Sequence, residues 1–114
     1  MASPVIRIWR GATRPVAWRL KDGDGNFFDL TGSSFQLSIA AAGVVLIAKN
    51  SANADGLAID VPGATVTWTP TLAESRLIPL GRVANYELER RIGATQEIVA
   101  WGSVEGLGGI NADA

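Results

Sequence analysis

Residues Val16 to Gly32 read VAWRLKDGDGNFFDLTG, and the opening VAWRLK decides the fold. Val16, Trp18 and Leu20 alternate with Ala17, Arg19 and Lys21, which gives an extended chain one face to bury and one to wet. The same period of two returns in Phe35, Leu37 and Ile39 between Ser34, Gln36 and Ser38, in Leu57, Ile59 and Val61, and in Val66 and Trp68 between Thr65, Thr67 and Thr69. Val5 to Arg10 and Val44 to Lys49 are further β-rich runs. Ala84, Tyr86 and Leu88 share one face of a longer strand reaching about Ile92, and Ile98, Ala100, Gly102 and Val104 stand at the alternate positions of the last. Glycine-containing breaks separate almost all of them, at Asp22 to Asn26, Gly32, Gly43, Asn53 to Gly56, Pro62-Gly63, Pro79 to Gly81 and Gly93-Ala94. Short antiparallel strands punctuated so regularly bury a common core only by facing a second sheet, so the pattern predicts a β-sandwich or barrel. The one departure is TLAESR, Thr71 to Arg76, where Thr71 and Glu74 have capping-box spacing and predict a single helical turn.

The second half of the opening stretch poses a choice between a metal site and a turn. Asp22, Asp24 and Asn26 stand at the first, third and fifth positions of a calcium loop, but the glycine position is Phe27 and the closing carboxylate position is Ser33. The flanking segments alternate as strands, where a calcium loop requires helices. The turn reading is the stronger one: Asp-Gly and Gly-Asn supply positive φ cheaply, and Leu30 then enters the core before the chain turns into the Phe35 strand. No metal and no cofactor are expected.

The chain has 114 residues, 47% hydrophobic and 18% charged, with no Cys. That is one core without disulfides, and little charge to cover a surface, so part of the surface is expected to lie against a partner. The start, MASPVIRIWRG, lacks the apolar run of a signal peptide, and no segment is long and apolar enough to span a bilayer as a helix; synthesis in the cytoplasm and no membrane contact are expected. Net charge is −1, yet Arg7, Arg10, Arg14, Arg19 and Lys21 precede the first acidic residue. A nucleic-acid binder is basic over its whole domain, so the reading here is either solvated strand residues or a docking face for an acidic neighbour. One domain over 1–105 and a flexible glycine-rich tail over 106–114 complete the expected organisation.

Catalysis finds few candidates. His and Cys are absent, which removes the residue types that most often serve as base, nucleophile or transition-metal ligand near neutral pH. The carboxylates Asp60, Glu74, Glu87, Glu89, Glu97 and Glu105 are scattered over strands and turns, and the serines have no neighbouring base, so no enzyme is expected. Four tryptophans remain. Trp18 and Trp68 fall on apolar faces and read as core. Trp9 shares the phase of Arg7, and Trp101 that of Ser103, off the apolar set. A tryptophan of that kind beside arginine is the composition of an interface anchor, of a sugar-stacking platform, or of a sheet face covered by a loop. The candidate interface residues are therefore Arg7, Trp9, Arg10, Arg14 and Trp101.

The order RGATRPVAWRLKDGDGNFFDLTG, then WTPTLAESRLIPLGRVANYELER, then EIVAWGSVEG, resembles the immunoglobulin-like β-sandwich domains of tailed-phage structural proteins, such as the N-terminal domain of baseplate upper proteins. The resemblance covers Arg10 to Gly106, with Ala12 standing where an acidic residue is usual. It implies an all-β, immunoglobulin-like antiparallel sandwich of about seven to nine strands with at most one short helical turn. It also implies a non-enzymatic virion component of the tail, baseplate or head-tail region that assembles as several copies with other virion proteins. A capsid decoration or fibre-anchoring protein is the same physics at another location. A carbohydrate-binding module, with Trp9 and Trp101 exposed and coplanar, is the alternative of a different class.

Overall fold

In the computed structural model, which describes residues 5–53 and 56–108, the chain forms eight strands and one short helix among the described residues. The strands are β1 (Ile6–Trp9), β2 (Val16–Arg19), β3 (Ser34–Ala41), β4 (Val44–Asn50), β5 (Leu57–Asp60), β6 (Thr65–Trp68), β7 (Gly81–Ile92) and β8 (Thr95–Leu107). A short 3-10 turn, Ser51–Asn53, follows β4, and α1 (Leu72–Leu77) lies between β6 and β7. Five strands in the order β1-β8-β7-β3-β4 make one sheet and β2-β6-β5 the other. With β2, β3, β4, β5, β6, β7 and β8 taken as B, C, C′, D, E, F and G, this is the immunoglobulin arrangement of G-F-C-C′ against B-E-D.

The alternation does what the sequence predicts except at Val61, which lies in the turn past the end of β5 and is exposed instead of joining Leu57 and Ile59. Trp18, Leu20, Phe35, Leu37, Ile39, Leu57, Val66, Trp68, Tyr86 and Leu88 all point between the sheets and are buried. An antibody domain joins strands B and F by a disulfide. This chain has no cysteine, and the same two strands meet through Trp18 and Tyr86, whose ring centroids lie 5.7 Å apart at an interplanar angle of 46°. That tilted contact ties the two sheets together through aromatic area instead of a covalent bond.

The helical turn forms as the TLAE spacing dictates. The Thr71 hydroxyl accepts from the Glu74 amide at 3.1 Å and the Glu74 carboxylate accepts from the Thr71 amide at 2.9 Å, the reciprocal capping box. Glu74 also pairs with Lys49 of β4. Burial pushes its carboxyl up, but the Lys49 ammonium and the Thr71 amide outweigh that and hold it below the usual glutamate range.

The connection from α1 into β7 packs directly on β8. The Arg10 guanidinium donates to the Ile78 carbonyl at 3.0 Å, and Gly106 lies so close that a Cβ there would run into the Pro79 carbonyl.

Three expectations need correction. The sandwich is not wholly antiparallel: β1 pairs with β8 in parallel, Ile6 opposite Val104 and Trp9 opposite Leu107. Chain ends far apart in sequence meet there, so the rest of the domain serves as the long crossover that a parallel pair requires. The expected tail boundary at Gly106 falls inside β8, because Gly106 pairs with both Ile8 and Gly81 and Leu107 with Trp9; the tail from Gly109 onward lies outside the described residues, as do Ala54 and Asp55 of the Asn53 to Gly56 break. Finally, Ile98 does not share the face of Ala100 and Val104. The β7–β8 register slips by one between Leu88↔Ala100 and Glu89↔Ile98, so Val99 and Ala100 are both buried while Ile98 points outward. An extra residue in one strand of an antiparallel pair is a β-bulge, and it reverses the phase beyond it.

Candidate functional site

The outward face of the five-stranded sheet is where the exposed chemistry gathers. Ile6 and Ile8 of β1 are buried, so Arg7 and Trp9 face out, and Trp9 is 51% exposed. On β8 the outward positions are Ile98, Trp101, Ser103 and Glu105. On β7 they are Val83, Asn85, Glu87 and Glu89, interleaved with buried Ala84, Tyr86 and Leu88. Gln36 and Ser38 of β3 complete the face beside Glu89 and Glu87. Trp9, Val83, Ile98 and Trp101 are all large apolar side chains left open to solvent on this one surface.

The face has two parts. Near β1, Glu105 bridges two cations, taking Arg7 at 3.1 Å and Arg82 at 3.2 Å. Such exposed pairs contribute little stability, about 0 to 1 kcal/mol, and their effect is to set charge along the face. Nearer the β7–β8 turn lies a depression of about 420 Å³ lined by Asn85, Glu87, Ile98 and Trp101 together with the backbone level of Tyr86 and Gly102. A smaller hollow of about 140 Å³ adjoins it, sharing Glu87 and Ile98 and adding Gln36, Ser38 and Glu89. The bulge creates this gap: Ile98 and Trp101 both face outward three positions apart, with the carboxylate of Glu87 directly across from Trp101.

The sequence-predicted interface residues separate in the structure. Arg7 and Trp9 lie together on β1 and Trp101 shares their face, but the step from Trp101 to Leu107, the residue opposite Trp9, spans about 20 Å of strand. The two indoles therefore do not form one stacking platform. Arg10 is half-buried and held by the Ile78 carbonyl, while Arg14 is exposed in the connection to β2. The basic N-terminal segment does not make a single basic face either. Arg19 and Lys21 belong to the side of the three-stranded sheet, where they stand 4.2 Å and 4.9 Å from the centroid of the exposed Phe27 ring, across the sandwich from Arg7.

The acidic turn is locally organised. One Asp22 carboxylate oxygen accepts from the backbone amides of Asp24 at 2.9 Å and Asn26 at 3.0 Å, an Asx turn that closes the loop. Asp29 likewise accepts from the Thr31 amide, and its carboxyl is lowered by the Thr31 side chain and amide first and by Arg90 after burial is set against them. Sequence reasoning missed the Glu87 depression, because it depends on which residue of β8 stands opposite which residue of β7.

No family model matches this chain, and no curated protein matches it. Among solved structures the chain is similar to the one titled Drosophila OTK, extracellular domains 3-5, at 14% sequence identity and a TM-score of 0.37. The match covers 90% of this chain and 33% of that one, so this chain spans about a third of that structure.

Proposed function

We propose that the chain is a non-enzymatic assembly domain that works through the outward face of its five-stranded sheet. The observation that carries this is the placement of Trp9, Val83, Ile98 and Trp101, 51%, 58%, 39% and 39% exposed, on one face of one sheet. Large apolar side chains presented together, with arginines and carboxylates between them, have the composition of a protein interface: aromatic anchors in a polar surround. The setting that the sequence resemblance implies is a tailed-phage virion, in the tail, baseplate or head-tail region. There the domain would repeat around a symmetry axis and hold its neighbours.

Sedimentation velocity tests the reading. The wild-type chain is expected to associate as concentration rises, alone or when mixed with virion proteins encoded beside it. Trp9→Ala combined with Trp101→Ala is expected to abolish that association with the fold intact. A wild-type chain that stays monomeric at every concentration in both settings contradicts the proposal.

A further inference from the structure

The depression over Glu87 has a charge pattern of its own. Of the five glutamates in the chain, Glu74, Glu89, Glu97 and Glu105 each stand within ion-pair distance of a Lys or Arg. Glu87 alone has no such partner among the described residues, although it is exposed in the middle of a sheet. The side chains lining the two adjoining hollows include the carboxylates of Glu87 and Glu89 and no cation. Beside Glu87 stands the indole of Trp101, its direct cross-strand neighbour, and Ile98 closes the other side. An unpaired carboxylate next to an open aromatic face attracts a ligand with a positive charge and a flat or apolar body. Phosphate and carboxylate ligands have the wrong sign. A neutral sugar would leave the charge uncompensated.

We propose that this depression receives an arginine side chain from an extended segment of a partner protein, the guanidinium lying against Trp101 and paired with the Glu87 carboxylate. Arginine fits better than lysine because its planar fork stacks on an indole and meets a carboxylate with two parallel hydrogen bonds. Asn85, Gln36 and Ser38 border the hollows and offer amide and hydroxyl groups to the backbone of a segment laid across the sheet. The bulge that separates Ile98 from Trp101 gives the side chain its entry. The inference rests on the assembly reading above and names the chemistry of one partner contact.

The test is a titration of the 114-residue chain, isotopically labelled, with a short glycine-flanked peptide carrying one arginine, followed by NMR. Its counterpart carries citrulline, which keeps the shape and lacks the charge. The arginine peptide is expected to shift the Trp101 indole N–H and leave those of Trp18 and Trp68 unmoved, and citrulline is expected to bind about tenfold more weakly or not at all. Glu87→Gln removes the Trp101 shift, Trp101→Ala removes the accompanying shifts of the Glu87 and Ile98 backbone amides that line the same hollow, and unchanged Trp18 and Trp68 signals show that both variants fold. Equal shifts from the citrulline peptide overturn the inference, as does a response to a neutral oligosaccharide in place of the peptide. If no peptide shifts Trp101 while the chain still associates in sedimentation, the arginine site fails and the assembly reading stands. If the peptide binds as expected to a chain that associates with nothing, the assembly reading fails instead.

Discussion

Replacing Trp18 by Ala tests whether the period of two sorts tryptophans between core and surface. Trp18 is 7% exposed and packs on Tyr86 across the two sheets. A buried tryptophan removes about 150–250 Å² from water, which at about 25 cal/mol per Å² corresponds to about 4–6 kcal/mol. Substitutions of this size cost about 3–5 kcal/mol once the surroundings relax. A domain of this length is stabilised by about 5–15 kcal/mol in total, so Trp18→Ala removes a large share. Trp101, 39% exposed on the outer face, is expected to cost under about 1 kcal/mol on truncation, as other surface changes do. Urea unfolding measures both: with a slope of about 1–3 kcal/mol per molar, the midpoint falls by on the order of 2 M for Trp18→Ala and by a small fraction of that for Trp101→Ala. Equal losses at the two positions, or a loss below about 1 kcal/mol at Trp18, would refute the assignment of faces.

Further outcomes follow from local geometry. Gly106→Ala drives a methyl group into the Pro79 carbonyl and is expected to cost about 1–3 kcal/mol in the same unfolding assay. Ala42 closes the β3–β4 hairpin at φ 51° next to Gly43 at φ 78°, a pair of left-handed residues for which Asn-Gly is the favoured sequence. Ala42→Asn is therefore expected to raise stability by several tenths to about 1 kcal/mol, read as a higher thermal midpoint. The Glu74 carboxyl, with its folded pKa depressed mainly by Lys49 against the opposing effect of burial, contributes stability that is complete above the ordinary glutamate pKa. That contribution is lost as pH falls through the depressed value. Glu74→Gln should flatten this part of the acid-unfolding curve, and an unchanged curve would remove Glu74 from the account.

Much of the sandwich was legible because inward and outward residues differ in kind along β2, β3, β5 and β6: Trp18 beside Arg19, Leu37 between Gln36 and Ser38, Val66 between threonines. The capping box was legible because it is encoded within four residues of chain. The parallel β1–β8 pair was not, because periodicity says which face a residue takes and nothing about which strand lies beside it. The bulge was hidden by composition: Ile98, Val99 and Ala100 are all apolar, so the phase of the pattern has no polar residue to mark where it flips. Exposure of Trp9 and Trp101 could be read from the phase of Arg7 and Ser103. The hollow over Glu87 could not, since it exists only through the register that sets Glu87 against Trp101 and Glu89 against Ile98.

The most direct test is site-specific photo-crosslinking in the cell that naturally produces the chain, with the photoreactive residue placed at position 9, 101, 17 or 58. Ala17 and Ala58 are exposed on the outer face of the three-stranded sheet, so they report on the opposite side of the sandwich. Crosslinks to neighbouring subunits from positions 9 and 101, with none from 17 and 58, are the predicted result; crosslinks from 17 and 58 with 9 and 101 silent would contradict the account.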